Sequence, residues 1–129
     1  MPNRALDWFN QALRDLAQAE ASRRDERHEW ACFAAHQAAE KAVKATHYRF
    51  GQDAWGHDVA GLLRALPAAA AIPAELMEKG RVLDNFYLPT RYPNGHAAGI
   101  PGDHYGPLQS EEAIRYAREI VEFARAQMA

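Results

Sequence analysis

Residues 30–44 read Trp30-Ala31-Cys32-Phe33-Ala34-Ala35-His36-Gln37-Ala38-Ala39-Glu40-Lys41-Ala42-Val43-Lys44, and this alanine-rich stretch decides the fold. Its composition favours helix, and side chains as small as alanine let the backbone of a neighbouring helix approach closely. The stretch therefore predicts a helix at the centre of a bundle, reaching about Phe50 and ending at Gly51. Glu40 and Lys44 lie one turn apart, which predicts a solvated surface ion pair worth about 0.3 to 0.5 kcal/mol.

An amphipathic pattern precedes this central helix. Apolar residues recur there at steps of three and four, which aligns them along one face of a helix. The pattern predicts a first helix from Arg4 to about Arg23, with Asn3 as its cap. The residues on the apolar face are Leu6, Phe9, Leu13 and Leu16.

Three further helices are expected after the central one. A short helix runs from about Asp58 to Leu66 and stops before Pro67. Pro73, a favourable residue for the first turn, begins the next. Apolar residues at helical spacing follow Ser110, which is expected to begin a last helix that continues to the C-terminus.

The long segment from Leu88 to Leu108 separates the last two helices. It contains four prolines and four glycines, too many for a continuous helix. A loop of about twenty residues exceeds the usual length of a passive connection, and long loops of this kind are often functional. This segment is therefore where functional residues are expected.

Composition narrows the class of protein. Val, Ile and Thr are scarce and Ala is abundant, which predicts an all-α protein: one domain, residues 1–129, folded as an antiparallel up-and-down bundle of four to five helices. A net charge of −2 excludes a surface that is basic throughout, so any contact with nucleic acid must be local. The single cysteine, Cys32, excludes an internal disulfide. No apolar run approaches the ~20 residues of a membrane span, and we expect a cytoplasmic protein without membrane contact.

Within the long loop, Arg91 and His96 are the residues suited to phosphoryl chemistry. Pro93, Asn94 and Gly95 between them favour a turn, which predicts that both side chains project to one side. Arginine offers a permanent charge and a planar fork of donors for phosphate. Histidine exchanges protons near neutral pH. The alternative is structural: Arg91 caps helix carbonyls or pairs with a carboxylate while His96 faces solvent.

Three stretches together resemble the HEPN family. They are the alanine-rich stretch quoted above, Gly56-His57-Asp58, and the run Phe86-Tyr87-Leu88-Pro89-Thr90-Arg91-Tyr92-Pro93. The last is similar to a bacterial and archaeal branch associated with minimal nucleotidyltransferases. The resemblance implies a dimeric helical bundle, encoded as a toxin beside a nucleotidyltransferase antitoxin.

The resemblance also implies an activity. HEPN toxins are typically metal-independent ribonucleases with an Arg followed after four to six residues by a His, and two copies meet across the dimer in one composite site. Arg91 and His96 fit that spacing, which makes them the expected catalytic pair, acting on RNA without a cofactor. Tyr92, Asn94 and His57, with Arg91, are the expected residues for binding RNA or a nucleotide.

A second reading is a non-catalytic module that binds a nucleotide or the nucleotidyltransferase. Active members commonly carry a small polar residue where Tyr92 follows Arg91, and this departure favours the second reading. Some family toxins are silenced when a tyrosine two residues beyond the motif His receives AMP. Ala98 stands at that position here, so the candidates for modification are Tyr105, Tyr92 and Tyr87.

The remaining histidines have simpler interpretations. His57 is expected to form hydrogen bonds at the start of a helix. His36, His47 and His28 lack the Cys or carboxylate arrangement of a zinc site, and we expect no metal. Trp8, Trp30, Phe9 and Phe33 are interpreted as residues of the core or of a dimer interface, because their spacing is that of buried helix faces.

Overall fold

A computed structural model describes residues 3–129, in which all regular structure is helical. The six α-helices are α1 (Ala5–Arg24), α2 (His28–Arg49), α3 (Val59–Arg64), α4 (Ala74–Asp84), α5 (Pro101–His104) and α6 (Pro107–Met128). Single 3-10 turns occur at Ala68–Ala70 and Pro93–Gly95. The all-α class and the bundle predicted from the sequence are confirmed. No helix in this described part is long and apolar enough to cross a membrane.

The central position of α2 is also confirmed. It packs chiefly against α1 and α6, and also contacts α3, α4 and α5. The alanines of α2 are almost all fully buried, which permits this close approach from several directions. The buried alanines are Ala31, Ala34, Ala35, Ala38, Ala39, Ala42 and Ala45.

The predicted residues lie at or beside the ends of the first two helices. Arg4, not Asn3, occupies the cap position of α1, and the Asn3 side-chain oxygen, one residue earlier, accepts a hydrogen bond from the Ala5 N–H at 2.8 Å. Gly51 follows α2 with φ +76°, a conformation that glycine adopts without strain. The helix therefore ends there, and the chain turns toward α3.

The sequence predicts an ion pair between Glu40 and Lys44 at the surface, and its surface position is wrong. The pair exists, with Nζ 3.2 Å from Oε2, but both residues are buried and Glu40 is only 3% exposed. The prediction failed because His57, from the connection before α3, lies against Glu40, and Trp8 of α1 lies against Lys44, which removes this face of α2 from solvent. A buried carboxylate is costly unless it is well paired.

Two other expectations need correction. The last helix begins at Pro107, three residues before Ser110, because proline presets the first turn and the Gln109 side chain accepts a hydrogen bond from the Gly106 N–H. Ser110 is buried inside the helix. The chain from Leu88 to Leu108 is also less irregular than expected, since it contains the 3-10 turn and α5.

Leu6 is exposed although the sequence predicts it on a buried face, and Trp30, expected in the core or in a dimer interface, is exposed in the single chain. Leu6 is 61% exposed and Trp30 46% exposed, so neither lies in the core of the single chain. Phe9 is buried, and Trp8 and Phe33 pack partly buried against the core. Cys32 is fully buried, and burial, with a smaller contribution from Glu29, raises the pKa of its thiol to about 12.

Candidate functional site

The candidate site lies where the chain leaves α4 and passes over the first half of α2. Thr90 anchors this segment: it is fully buried, and its hydroxyl donates to the Phe86 carbonyl at 2.6 Å. The next residue, Arg91, is thereby held at the surface of the bundle beside Phe33 of α2. The local fold thus presents Arg91 from a fixed backbone.

Arg91 is stacked among aromatic rings. Its guanidinium carbon lies 4.3 Å from the ring centre of Phe33, 4.8 Å from that of Tyr87 and 5.2 Å from that of Tyr92. The Nε–H donates to the Tyr87 carbonyl at 2.9 Å. The terminal nitrogens form neither a hydrogen bond nor an ion pair with any residue in 3–129. These contacts orient the guanidinium and leave its outer donors for another group.

His96 has different neighbours. Its Nε2–H donates to the Pro89 carbonyl at 2.7 Å, which leaves Nδ1 as the unprotonated nitrogen of the neutral ring. The ring stacks on His104 with centroids 4.0 Å apart and planes 2° from parallel, and meets the edge of Tyr105 at 5.7 Å. His104 likewise donates from Nε2 to a carbonyl, that of Ala98.

The turn expected between Arg91 and His96 is present as the 3-10 turn Pro93–Gly95. A Cβ atom at Gly95 would meet the Cα of Pro89 at 3.0 Å, so the turn packs closely on the chain before it. The two side chains are nevertheless separate within one chain: Arg91 contacts α2 and Tyr87, and His96 contacts the α5 segment.

The other residues proposed for binding are accessible. Tyr92 is 50% exposed and Asn94 is exposed, and the Asn94 amide forms no hydrogen bond within the described residues. Tyr87 and Tyr105 are half-buried. Burial, followed by the nearby Cys32, raises the pKa of Tyr105. Tyr92 is thus the most exposed of the three tyrosines considered for modification.

His57 is hydrogen-bonded just before a helix, as the sequence predicted. Its Nδ1 lies 2.8 Å from Oε1 of Glu40, and its ring stacks on Tyr87 with centroids 4.6 Å apart and planes at 18°. The carbonyl of His57 accepts a hydrogen bond from Nε2 of the buried His36 at 2.9 Å. Arg91 and the three rings around it, Phe33, Tyr87 and Tyr92, form the Arg91 cluster, and His57 adjoins it through the Tyr87 ring.

Sequence reasoning missed the polar groups beneath His57. His36 Nε2 also lies 3.2 Å from Oδ1 of Asp84, and the Asp84 carboxylate accepts the N–H groups of Val59 and Ala60 at 2.7 and 3.1 Å. These groups come from α2, α3 and α4, so no local spacing links them. One sequence feature could have indicated a buried polar site: two charged residues, Glu40 and Lys44, lie in the helix that is predicted to be central. Within residues 3–129, no three potential ligands come together as a metal site.

Comparison with known proteins gives the family. The family model described as HEPN domain matches residues 5–127. Among curated proteins, none matches this sequence.

Three solved structures are similar over nearly their whole lengths. TT1696 from Thermus thermophilus is 45% identical with a TM-score of 0.96, covering 98% of this chain and 99% of its own. ST0689, an archaeal HEPN homologue, is 33% identical with a TM-score of 0.84 and full coverage of both chains. The HEPN domain protein TM0613 from Thermotoga maritima is 33% identical with a TM-score of 0.76, covering 95% and 97%. The chain therefore belongs to the HEPN domain family.

Proposed function

We propose that this chain is a ribonuclease of the HEPN type, the toxin of a pair whose antitoxin is a minimal nucleotidyltransferase, and that it acts in the cytoplasm. The observation that carries the proposal is the setting of Arg91. Aromatic rings and one backbone carbonyl hold its guanidinium, while its terminal nitrogens have no partner in the described chain. A fixed cation with unused planar donors suits the phosphate of an RNA backbone.

The reaction requires two copies of the chain. Arg91 of each protomer contacts the scissile phosphate, and the two His96 side chains exchange protons on either side of it. One His96 takes the proton of the 2′-hydroxyl as the 2′-oxygen forms its bond to phosphorus. The bond from phosphorus to the 5′-oxygen breaks, and the second His96 protonates that oxygen. The products carry a 2′,3′-cyclic phosphate and a 5′-hydroxyl, and the proton transfers need no metal.

The hydrogen bond of His96 supports its part in this scheme. Because Nε2–H donates to the Pro89 carbonyl, Nδ1 of the neutral ring carries a lone pair. That nitrogen is the one able to accept a proton. One His96 acts as the base and must be neutral, and the other acts as the acid and must be charged. The rate of cleavage should therefore follow a bell-shaped pH profile.

The test is incubation of the purified protein with end-labelled RNA in EDTA. We expect cleavage products with cyclic phosphate ends, and we expect His96→Ala to remove cleavage while circular dichroism stays that of the helical fold. His28→Ala, which changes a half-buried histidine bonded to Ser110, is the control and should cleave normally. Undiminished cleavage by His96→Ala, or sedimentation of the active protein as a monomer, would refute the composite site.

The separate settings of Arg91 and His96 favour a second candidate, a non-catalytic module that binds a nucleotide or the nucleotidyltransferase. A groove of about 780 Å³ between α1 and α2 adjoins Arg91, since Phe33 lines the groove and also lies 4.3 Å from the guanidinium carbon. Such a module would leave the labelled RNA intact. It would still bind a nucleoside monophosphate by calorimetry, and Arg91→Ala would remove that binding.

A further inference from the structure

Glu40 is the most unusual charged residue of the bundle. Its side chain is buried in α2, yet each carboxylate oxygen has a cationic or titratable partner: Oε2 faces Lys44 Nζ at 3.2 Å, and Oε1 faces His57 Nδ1 at 2.8 Å. A buried ion pair is weak evidence for stability, because apolar residues of similar size often serve the fold as well. The arrangement calls for a functional explanation.

The bond to Glu40 fixes the tautomer of His57. An ionised carboxylate only accepts hydrogen bonds, so Nδ1 must carry the proton and Nε2 carries the lone pair when the ring is neutral. The His57 side chain is 54% exposed, and Nε2 has no hydrogen-bond partner among residues 3–129. A fixed carboxylate also stabilises the imidazolium that forms when such a nitrogen takes up a proton.

A second layer of polar groups fixes the backbone of His57. His36, fully buried, donates to the His57 carbonyl, and Asp84 accepts from the first two amides of α3 just beyond it. His57 is thus held at its side chain and at its backbone, although it lies in a connection without regular structure. This degree of restraint suits a group that must meet a substrate in one orientation.

The Tyr87 ring lies between the His57–Glu40 pair and Arg91 and contacts both His57 and Arg91. The His57 ring stacks on the Tyr87 ring at 4.6 Å, and the Arg91 guanidinium lies 4.8 Å from the centre of the same ring. His96, by contrast, forms its hydrogen bond and its ring contacts with Pro89, His104 and Tyr105. Within one protomer, His57 is therefore the exposed histidine whose ring shares a contact residue with Arg91.

We propose that His57, oriented by Glu40, contacts the phosphate bound by Arg91 and takes the proton from the 2′-hydroxyl during RNA cleavage. This inference rests on the proposed ribonuclease function and revises it in one step: the 2′-oxygen bonds to phosphorus as its proton passes to His57 Nε2. The bond from phosphorus to the 5′-oxygen breaks, and His96 supplies the proton to that oxygen. Glu40 is a positioning residue, since it acts through His57.

The experiment measures cleavage of labelled RNA against pH for the wild-type protein, His57→Ala and the pair Glu40→Gln/Lys44→Met. The double variant removes both buried charges together, which avoids leaving Lys44 unpaired. We expect His57→Ala to slow cleavage by about 10²- to 10⁴-fold, the usual contribution of a general base. It should also lose the acidic limb of the pH profile, where the rate rises as the base loses its proton. Circular dichroism should remain helical.

The double variant should slow cleavage by no more than His57→Ala does, since it removes the carboxylate that orients the base and leaves the base itself in place. Glu119→Gln, which removes an exposed carboxylate paired with Lys79, is the matched control and should cleave at the wild-type rate. A 2′-deoxy oligonucleotide lacks the nucleophile, so its binding to the wild-type protein reports contact alone. We expect it to shift the His57 Cε1–H resonance, and we expect Arg91→Ala to remove the shift.

The outcomes separate the two proposals. If the wild-type protein cleaves RNA and His57→Ala cleaves equally with an unchanged pH profile, the role of His57 is refuted and the ribonuclease proposal stands. If the wild-type protein does not cleave RNA, the ribonuclease proposal falls and the proton-transfer step falls with it. A His57 resonance that does not move with the deoxy oligonucleotide refutes contact with the phosphate in either case.

Discussion

The Asp84 carboxylate at the end of α4 lies 2.7 Å from the backbone N–H of Val59 at the start of α3. The same oxygen lies 3.2 Å from Nε2 of the buried His36. One side chain thus caps a helix of six residues and also satisfies a fully buried imidazole of the central helix. Asp84 is the point at which α2, α3 and α4 are joined.

Asp84→Ala should therefore lower the free energy of unfolding by about 2 kcal/mol, because the buried amides of Val59 and Ala60 lose their acceptor, while His36 keeps its bond to the His57 carbonyl. The measurement is chemical denaturation followed by circular dichroism. Glu122→Ala removes an exposed carboxylate that pairs with Arg125 and should change stability by less than about 1 kcal/mol. Equal stability of Asp84→Ala and the wild-type protein would show that α3 is held by its apolar contacts alone.

The stability should also depend on pH through Asp84. Burial opposes ionisation of this carboxyl, but the hydrogen bonds it receives outweigh burial and lower its pKa; the donors are His36, Asp58 and the backbone of Ala60 and Val59. The ionised form is favoured in the fold, so this stabilisation is complete above the unfolded value of about 3.9 and is lost as the pH falls below it. Denaturation between about pH 5 and about pH 3 should show a smaller acid loss for Asp84→Asn than for the wild-type protein.

Asp58 should act with the opposite sign. Its hydrogen bond to Asp84 is the main cause that raises its pKa, so the fold favours the protonated form and gains stability as the pH falls. Asp58→Asn removes this gain in stability at low pH, so the free energy of unfolding should fall more steeply with decreasing pH than in the wild-type protein. If Asp58→Asn and Asp84→Asn changed the profile in the same direction, the pair would not titrate as its geometry indicates.

Local patterns were sufficient to predict most of the fold. Gly51 and Asn3 act on neighbouring residues: Gly51 ends α2 as predicted, and Asn3 accepts the first N–H of α1 from one residue before the cap position. The burial of Glu40 was not predictable in the same way, because a Glu and a Lys one turn apart look alike whether the face meets solvent or another helix. The residues that cover this face decide between these cases, and here they are His57 and Trp8, which only the folded chain brings to Glu40 and Lys44.

Local patterns predict only part of the candidate site. The turn at Pro93–Gly95 is local and was predicted from its residues. The neighbours of Arg91 come both from the end of α4 and from α2, which lies far away along the chain, so spacing in the loop could not show that Phe33 lies beneath the guanidinium. The link from His57 to Glu40 spans 17 residues and depends on how the connection before α3 folds back onto α2.

Gly80 provides a test of the packing between α3 and α4. It lies inside α4, where alanine would normally be favoured by about 1 kcal/mol. A Cβ atom there would lie 3.3 Å from the backbone nitrogen of Ala60 and equally close to the buried side chains of Leu63 and Val59. The backbone of Ala60 is held by Asp84 and cannot easily yield. We expect Gly80→Ala to destabilise the protein by about 1 kcal/mol net, as overpacking typically costs about 1 to 3 kcal/mol.

Thermal and chemical denaturation will measure this change. Glu78→Ala alters an exposed position of the same helix that pairs with Arg81, and it should leave stability within about 0.5 kcal/mol of the wild-type value. A gain in stability by Gly80→Ala would mean that α3 moves aside readily, and the site built on the connection before α3 would then be less rigid than we infer.

The role of Phe33 separates the charge of Arg91 from its orientation. Phe33→Leu keeps the apolar packing against the core but removes the ring that lies 4.3 Å from the guanidinium. If Arg91 binds phosphate, Arg91→Ala should weaken binding of a single-stranded oligonucleotide and reduce the slope of log affinity against log salt by about 0.7 for each phosphate that is no longer neutralised. Phe33→Leu should weaken binding too, while leaving most of the salt slope, because the charge remains and only its placement changes.

Arg125→Ala on α6, an exposed arginine paired with Glu122, should leave both the affinity and the slope unchanged. Fluorescence anisotropy over a range of salt concentrations gives both quantities, and an Arg91→Ala variant with the wild-type slope would show that Arg91 does not meet the phosphate.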